Sequence, residues 1–304
     1  MIELNEIREQ IDEVDKKIVE LFEKRMELGK AVAQYKQQVG KPILDKQRER
    51  QKIEAMQDLA TNPSHKRAVS ELFLQLMSLS RKYQYTLIGE RQTDMLSSFH
   101  MVEQLPIYNQ TKIVCQKEAC NDNEWHKENG QYIVQFFGED TKKLYVEQLK
   151  EVFQILEEEK AEYGVVPIQI NDTIIRTLIY DLLLLHEDIC IVAEENIHDK
   201  RREENKEMSF LILKKGRMYQ KDAKKIMVSV QLSNEVGSLY EMLSNLLHNN
   251  INLTRIESRE LKENGQISYH FLMEFIGNLQ EPSVRNACTV MREESLDFRV
   301  LGNY

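Results

Sequence analysis

The sequence predicts a multidomain protein, all-α at its N-terminus and α/β beyond. Three observations predict it. Residues 4–39 carry an unbroken helical pattern without Pro, and two further helical stretches follow before residue 89. From about residue 111, apolar runs of strand length alternate with helical patterns, as in α/β units with a partly parallel sheet. The last 80 residues read βαββαβ, the order of the ferredoxin-like split unit.

Bulk properties narrow the classes. The 304 residues suffice for two or three domains. A hydrophobic content of 41% and a charged content of 30% fit a soluble globular chain. The net charge is −9 with no basic block, which argues against a nucleic-acid or anionic-membrane partner but leaves room for a local cationic pocket. The apolar run Leu182–Leu185 is far too short to span a bilayer, and the acidic, amphipathic start is not that of a signal peptide. Cys115, Cys120, Cys190 and Cys288 form no CxxC and read as reduced thiols of a cytoplasmic protein. Cys115, Cys120 and His126 match no standard metal spacing, so no metal is expected.

The first helix, residues 4–39, would be about 54 Å long at 1.5 Å per residue, and Gly40 and Pro42 stop it. Its apolar residues Ile7, Ile11, Val14, Ile18, Leu21, Leu28, Val32 and Tyr35 step by three and four, a helix seam. Arg25 occupies the slot between Leu21 and Leu28, and Lys36 follows three turns later on the same face. Two inward cations suggest a buried anion; long side chains snorkelling out of a leaky seam would explain them equally well. A second helix is expected over 45–59 and a third over 65–88, with Ser64 as its cap. Three helices cannot bury the seam alone, whereas an intertwined homodimer would.

Residues 89–110 read as a linker. Strands are expected over 111–116, 131–137, 163–168, 189–193 and 208–213, and helices over 146–160 and 173–185. In the last unit, strands are expected over 226–232, 252–258, 268–275 and 298–301, with helices over 237–249 and 282–294.

Asp45, Arg48 and Glu49 lie at i, i+3 and i+4 and share one helix face. Taken alone, they read as a surface charge network. Ser80 and Gln84 are one turn apart. Arg8 is 17 residues before Arg25, about 260° around the helix, so it would serve a neighbouring subunit. The stretch LNEIREQIDEVDKKIVELFEKRMELGKAVAQYK and the following GKPILDKQRER resemble the all-helical chorismate mutases, over residues 4–88. The resemblance implies an intertwined helical dimer that converts chorismate to prephenate. It implies active-site roles for Arg8 (from the partner), Arg25, Lys36, Asp45, Arg48, Glu49, Ser80 and Gln84. The reaction is a pericyclic rearrangement of a dicarboxylate and requires no nucleophile, metal or cofactor. It requires a compact reactive conformer and stabilisation of charge on the breaking ether oxygen. By the resemblance, Arg8 and Arg25 clamp carboxylates, Arg48 assists at the same anionic end, Lys36 and Gln84 donate to the ether oxygen, and Glu49 accepts from the ring hydroxyl. Asp45 and Ser80 support that network.

Residues 111–215 resemble the first half of prephenate dehydratase through EEEKAEYGVVPIQINDTIIRTLIYDLLLLHEDICIVAEENI. The match departs from that family in its chemistry. The glycine-rich segment is replaced by CQKEACNDNEW, and Glu-Asn-Ser after VPI by Gln169-Ile170-Asn171. Thr-Arg-Phe becomes Met208-Ser209-Phe210, and the stretch from Ala193 to Met208 is short. A reduced domain without dehydratase activity is expected. Residues 225–304 resemble the ACT domain that follows prephenate dehydratase, through EVGSLYEML and INLTRIESRE. That resemblance implies phenylalanine as effector, with Gly237, Ser238, Leu239, Glu257, Ser258 and Arg259 in its site; Glu260 replaces the family's Pro. The expectation is therefore a chorismate mutase of the bifunctional mutase–dehydratase family, dimeric or larger. Two alternatives are a still bifunctional enzyme that makes phenylpyruvate and a non-catalytic amino-acid-binding regulator.

Overall fold

The computed structural model describes residues 3–89, 98–116, 133–169, 173–197, 208–263 and 266–304. The chain forms two compact units. One comprises residues 1–93 together with 239–249 and 285–294; the other comprises residues 94–238, 250–284 and 295–304.

The first unit is built on helices α1 (Leu4–Val39), α2 (Lys46–Asp58) and α3 (Lys66–Gly89), with a 3-10 turn at Pro63–His65. Gly40 ends α1 in the left-handed conformation (φ 68°), and the Gly40 and Lys41 N–H groups both donate to the Lys36 carbonyl. Asp45 starts α2, its Oδ1 accepting from the Arg48 N–H at 3.0 Å. The expected cap Ser64 lies inside the 3-10 turn. Asn62 does the capping, because its carboxamide reaches both the N–H and the hydroxyl of Ser64.

Both α1 and α2 pack on α3. The face of α1 that is removed from solvent runs Phe22, Arg25, Met26, Gly29, Ala33, Lys36. Arg25 and Lys36 therefore belong to this stripe rather than to the apolar seam, which adjoins it one helical step away. Within a single chain the seam is uncovered: Leu21 and Leu28 are 67% and 62% exposed, and Ile7, Ile11, Val14, Ile18, Val32 and Tyr35 are all exposed.

The second unit holds strands β1 (His100–Val102), β2 (Lys112–Gln116), β3 (Lys142–Val146), β4 (Tyr163–Gln169), β5 (Ile189–Ile197), β6 (Met208–Lys215) and β7 (Met218–Gln220), with helices α4 (Leu149–Glu157) and α5 (Thr173–Leu185). The βαββαβ region follows as β8 (Lys225–Ser233), α6 (Ser238–His248), β9 (Leu253–Glu263), β10 (Gln266–Ile276), α7 (Pro282–Glu294) and β11 (Asp297–Asn303). Its strands take the order β11-β8-β10-β9, as a ferredoxin-like split unit requires.

The two expected α/β domains share one sheet, ordered β3-β2-β4-β6-β5-β11-β8-β10-β9. The seam between them is the parallel pair β5–β11, where Gly302 faces Ile191. The same glycine pairs with Met227 on β8, and both β5 and β11 shift register there. A Cβ on Gly302 would lie 2.3 Å from the Ile191 carbonyl oxygen, a backbone atom that cannot swing aside. One core serves both halves: Val114, Phe153 and Leu183 belong to the same buried cluster as Met227, Leu272 and Leu301. Arg299 on β11 reinforces the junction by donating to the carbonyls of Leu184, His186, Glu187 and Ile189, which closes the C-terminal end of α5. Gly302→Ala is expected to cost about 1–3 kcal/mol through overpacking against backbone, read as a lower urea midpoint. An unchanged midpoint would mean that the strands separate freely there.

Several sequence expectations are corrected. Residues 133–137 are helical, not a strand. Ile133 and Phe137, one turn apart, are both buried in the cluster that includes Tyr163 and Phe210. The linker reading of 89–110 fails at β1, which pairs in parallel with β7. Lys142–Val146 is a strand, so the following helix begins at Leu149, where a capping box between Gln148 and Glu151 starts it. Cys115, Cys190 and Cys288 are buried free thiols, and burial pushes Cys190 up to about 11 and Cys288 up to about 12. Cys120 and His126 lie outside the described residues, as do Ile170 and Asn171. Among the described residues, no helix is long and apolar enough to cross a membrane.

Candidate active site

A cleft of about 210 Å³ opens between α1, α2 and α3. Seven of the eight residues expected from the sequence line it: Arg25, Lys36, Asp45, Arg48, Glu49, Ser80 and Gln84. Arg8 does not. It is exposed on α1, about 25 Å along the helix from Arg25 at 1.5 Å per residue.

Helix geometry explains the convergence. Arg25, Gly29 and Lys36 lie on the stripe of α1 that meets α3, and Gly29 permits the close approach. A Cβ there would come within 2.7 Å of the Ser80 hydroxyl. Ser80 in turn accepts from Gln84 Nε2 at 3.3 Å, one turn on, and both side chains are buried. The Gln84 carbonyl oxygen is buried without a hydrogen-bond partner and can accept from a ligand, while Nε2 keeps a second N–H beyond the one given to Ser80. The Asp45 cap fixes the first turn of α2, which presents Arg48 and Glu49.

Arg25 Nη1 donates to the Leu76 carbonyl at 2.7 Å, which holds the guanidinium against α3. Lys36 Nζ donates to the Ile43 carbonyl at 2.5 Å. Desolvation lowers the pKa of both cations; Glu49 partly offsets this for Arg25, and Asp45 and Glu49 partly offset it for Lys36. Glu49 Oε2 accepts from Arg81 Nη1 at 2.5 Å.

Lys52, Met77, Ile43 and Arg81 also line the cleft and were not singled out from the sequence. Lys52 follows Arg48 by one turn, so helical spacing alone would have placed it there. Arg81 had no such signal. The lining holds Arg25, Lys36, Arg48, Lys52 and Arg81 against Asp45 and Glu49; Arg81 is matched by further carboxylates, so the positive surplus lies on the other four cations. Such a site suits a small dianion.

The residues expected to hold an effector are arranged differently. Gly237 (φ 90°) makes the turn before α6, and the Ser238 hydroxyl donates to the Ser233 carbonyl at 3.1 Å. Leu239 follows in the first turn of α6. On β9, Glu257 and Arg259 point toward α5: Glu257 pairs with Arg176 Nε at 2.8 Å, and Arg259 donates to Thr177 Oγ1 at 2.8 Å. Strand alternation places Ser258 on the other face, exposed.

Residues 7–85 match the family model described as chorismate mutase type II. A bifunctional chorismate mutase/prephenate dehydratase from Pseudomonas aeruginosa is 31% identical over 126 residues, which are 41% of this chain and 31% of that protein. A chorismate mutase from Methanocaldococcus jannaschii is 53% identical over 51 residues, 16% of this chain and 52% of that one. The chain spans less than a third of the length of the bifunctional relatives it matches. Among solved structures, a prephenate dehydratase from Staphylococcus aureus superposes with a TM-score of 0.51 at 14% identity, covering 64% of this chain and 100% of that one. That likeness is one of fold. The N-terminal helices thus match the chorismate mutase type II family, and an α/β region with the dehydratase fold follows.

Proposed function

We propose that the protein rearranges chorismate to prephenate at the cleft between α1, α2 and α3. The observation that carries this reading is the convergence of seven expected side chains on one cleft with a surplus of positive charge. Chorismate carries two carboxylates, which Arg25 and Arg48 would hold by bidentate hydrogen bonds. Lys36 and Gln84 would donate to the ether oxygen as its bond breaks. The ammonium of Lys36 would exchange the Ile43 carbonyl for that oxygen, a stronger acceptor as charge develops. Glu49, held by Arg81, would accept from the ring hydroxyl. Arg8 would enter from a second copy, and burial of the exposed α1 seam would drive that association at about 1.5–3 kcal/mol per large apolar side chain.

The α/β region is read as lacking dehydratase activity. Met208 stands in the place of the catalytic threonine, and the neighbouring hydroxyl that could substitute, Ser209, is 2% exposed inside β6, paired to β4 and β5 on both sides. The names of the bifunctional relatives favour the second reading, an enzyme that continues to phenylpyruvate. Phenylalanine is the proposed effector, at the turn around Gly237 and on β9, by resemblance to ACT domains. The buried free thiols favour a cytoplasmic setting.

Incubating the purified protein with chorismate, with and without phenylalanine, tests these readings together. Prephenate alone is the expected product. Phenylpyruvate at neutral pH above the nonenzymatic background would establish the bifunctional reading, and no turnover by folded protein would leave a binding module. The rate should also depend on pH through Lys36. Its lowered pKa means that the donor is lost earlier than for an ordinary lysine, so kcat/KM should fall on an alkaline limb below 10.5. A profile flat to that pH would remove the charged donor from the mechanism.

A further inference from the structure

Arg81 lines the cleft but was absent from every expectation, and its surroundings are unusual. Its side chain is 9% exposed and meets three carboxylates. Nη1 binds Glu49 Oε2 at 2.5 Å, Nη2 binds Glu241 Oε2 at 3.2 Å, and Nε binds Glu294 Oε1 at 3.0 Å. Glu49 belongs to the cleft, whereas Glu241 lies on α6 and Glu294 ends α7. Glu241 is held a second time, by the Ser78 hydroxyl at 2.7 Å. Next to Arg81, the Lys82 ammonium donates to Ser244 on α6 at 2.7 Å. Residues 239–249 and 285–294 belong to the same compact unit as α1–α3.

We infer that Arg81 is a positioning residue for Glu49, and that Glu241 and Glu294 on the last two helices fix Arg81 for that task. This inference rests on the proposed mutase reading of the cleft. A guanidinium presents five donors in a rigid fork, so fixing two edges on α6 and α7 determines where the third points. Burial opposes the charge on Arg81, but Glu294 and Glu49 together outweigh it and hold the group protonated. Without Arg81, Glu49 has other cations within reach: it already acts on both Arg25 and Lys36. A released Glu49 would pair with these and withdraw them from the substrate's anionic groups. The last two helices would thus govern the cleft through one side chain, without touching substrate.

Steady-state kinetics with chorismate on Arg81→Met, Arg81→Lys and the Glu241→Gln/Glu294→Gln double variant would test this. Arg81→Met should raise KM about tenfold, the scale of one charged hydrogen bond, with a smaller loss in kcat. Arg81→Lys should recover part of the KM effect, since an ammonium keeps the charge but not the fork. The Glu241→Gln/Glu294→Gln variant should lower kcat/KM by about threefold or more, and in the Arg81→Met background it should add nothing. Unchanged kcat/KM in the Glu241→Gln/Glu294→Gln variant, or additive losses, would overturn the inference. Urea unfolding of the same series, with Glu49→Gln included, reads the Arg81 couplings independently of turnover. Additive midpoints would overturn the inference even if the wild-type protein proved inactive on chorismate, whereas coupled midpoints in an inactive protein would sink only the mutase reading.

Discussion

Lys36→Ala should reduce kcat by about 10²–10³-fold, the scale of removing one donor aimed at developing charge, while KM changes much less. Lys36 lies on the cleft-facing stripe of α1, and its ammonium rests on a carbonyl at the cleft wall. A donor that acts on the breaking bond strengthens its interaction only as charge appears, so its loss falls on kcat. Stopped-flow or steady-state assays of chorismate consumption decide the matter. A rise in KM with intact kcat would make Lys36 a ground-state clamp and transfer the ether-oxygen role to Gln84.

Mixing two inactive variants should restore activity. On the proposed reading of a dimeric mutase, Arg8→Ala and Arg25→Ala would each remove a carboxylate clamp, and each homodimer should be inactive. If Arg8 crosses from the partner, a mixed dimer contains one site with both arginines intact and one with neither. Random reassociation of equal amounts makes half the dimers mixed, so about a quarter of wild-type activity should return. If Arg8 served its own chain, no combination would contain a complete site and nothing would return. The exposure of Arg8 and of the α1 seam in a single chain motivates the first outcome.

The helical domain was readable because one periodicity decides everything there. The limits of α1 coincide with those expected, since Gly40 can take the left-handed conformation that closes it. Arg25 and Lys36 were conspicuous as cations among apolar neighbours. Arg81 was not, because a charged residue on a mixed helix looks solvated until its carboxylate partners, 160 and 213 residues away, are in place. The α/β region was less legible for the same non-local reason. Lys142–Val146 is a half-exposed edge strand with lysines, and the apolar run at 133–137 is too short for periodicity to separate helix from strand. Nothing in β5 or β11 alone says that they will pair, since each reads as a buried strand of its own unit.

That pairing limits how the gene can vary. β11 is an interior strand of the sheet, flanked by β5 on one side and β8 on the other. Exchanging the βαββαβ region for another, as recombination does with independent modules, would leave β5 as a bare apolar edge, a template for aggregation. The two halves of the α/β region are therefore one structural cassette. Loss of either half would strip a partner from a central strand, so each is needed for the other's stability whatever chemistry it performs.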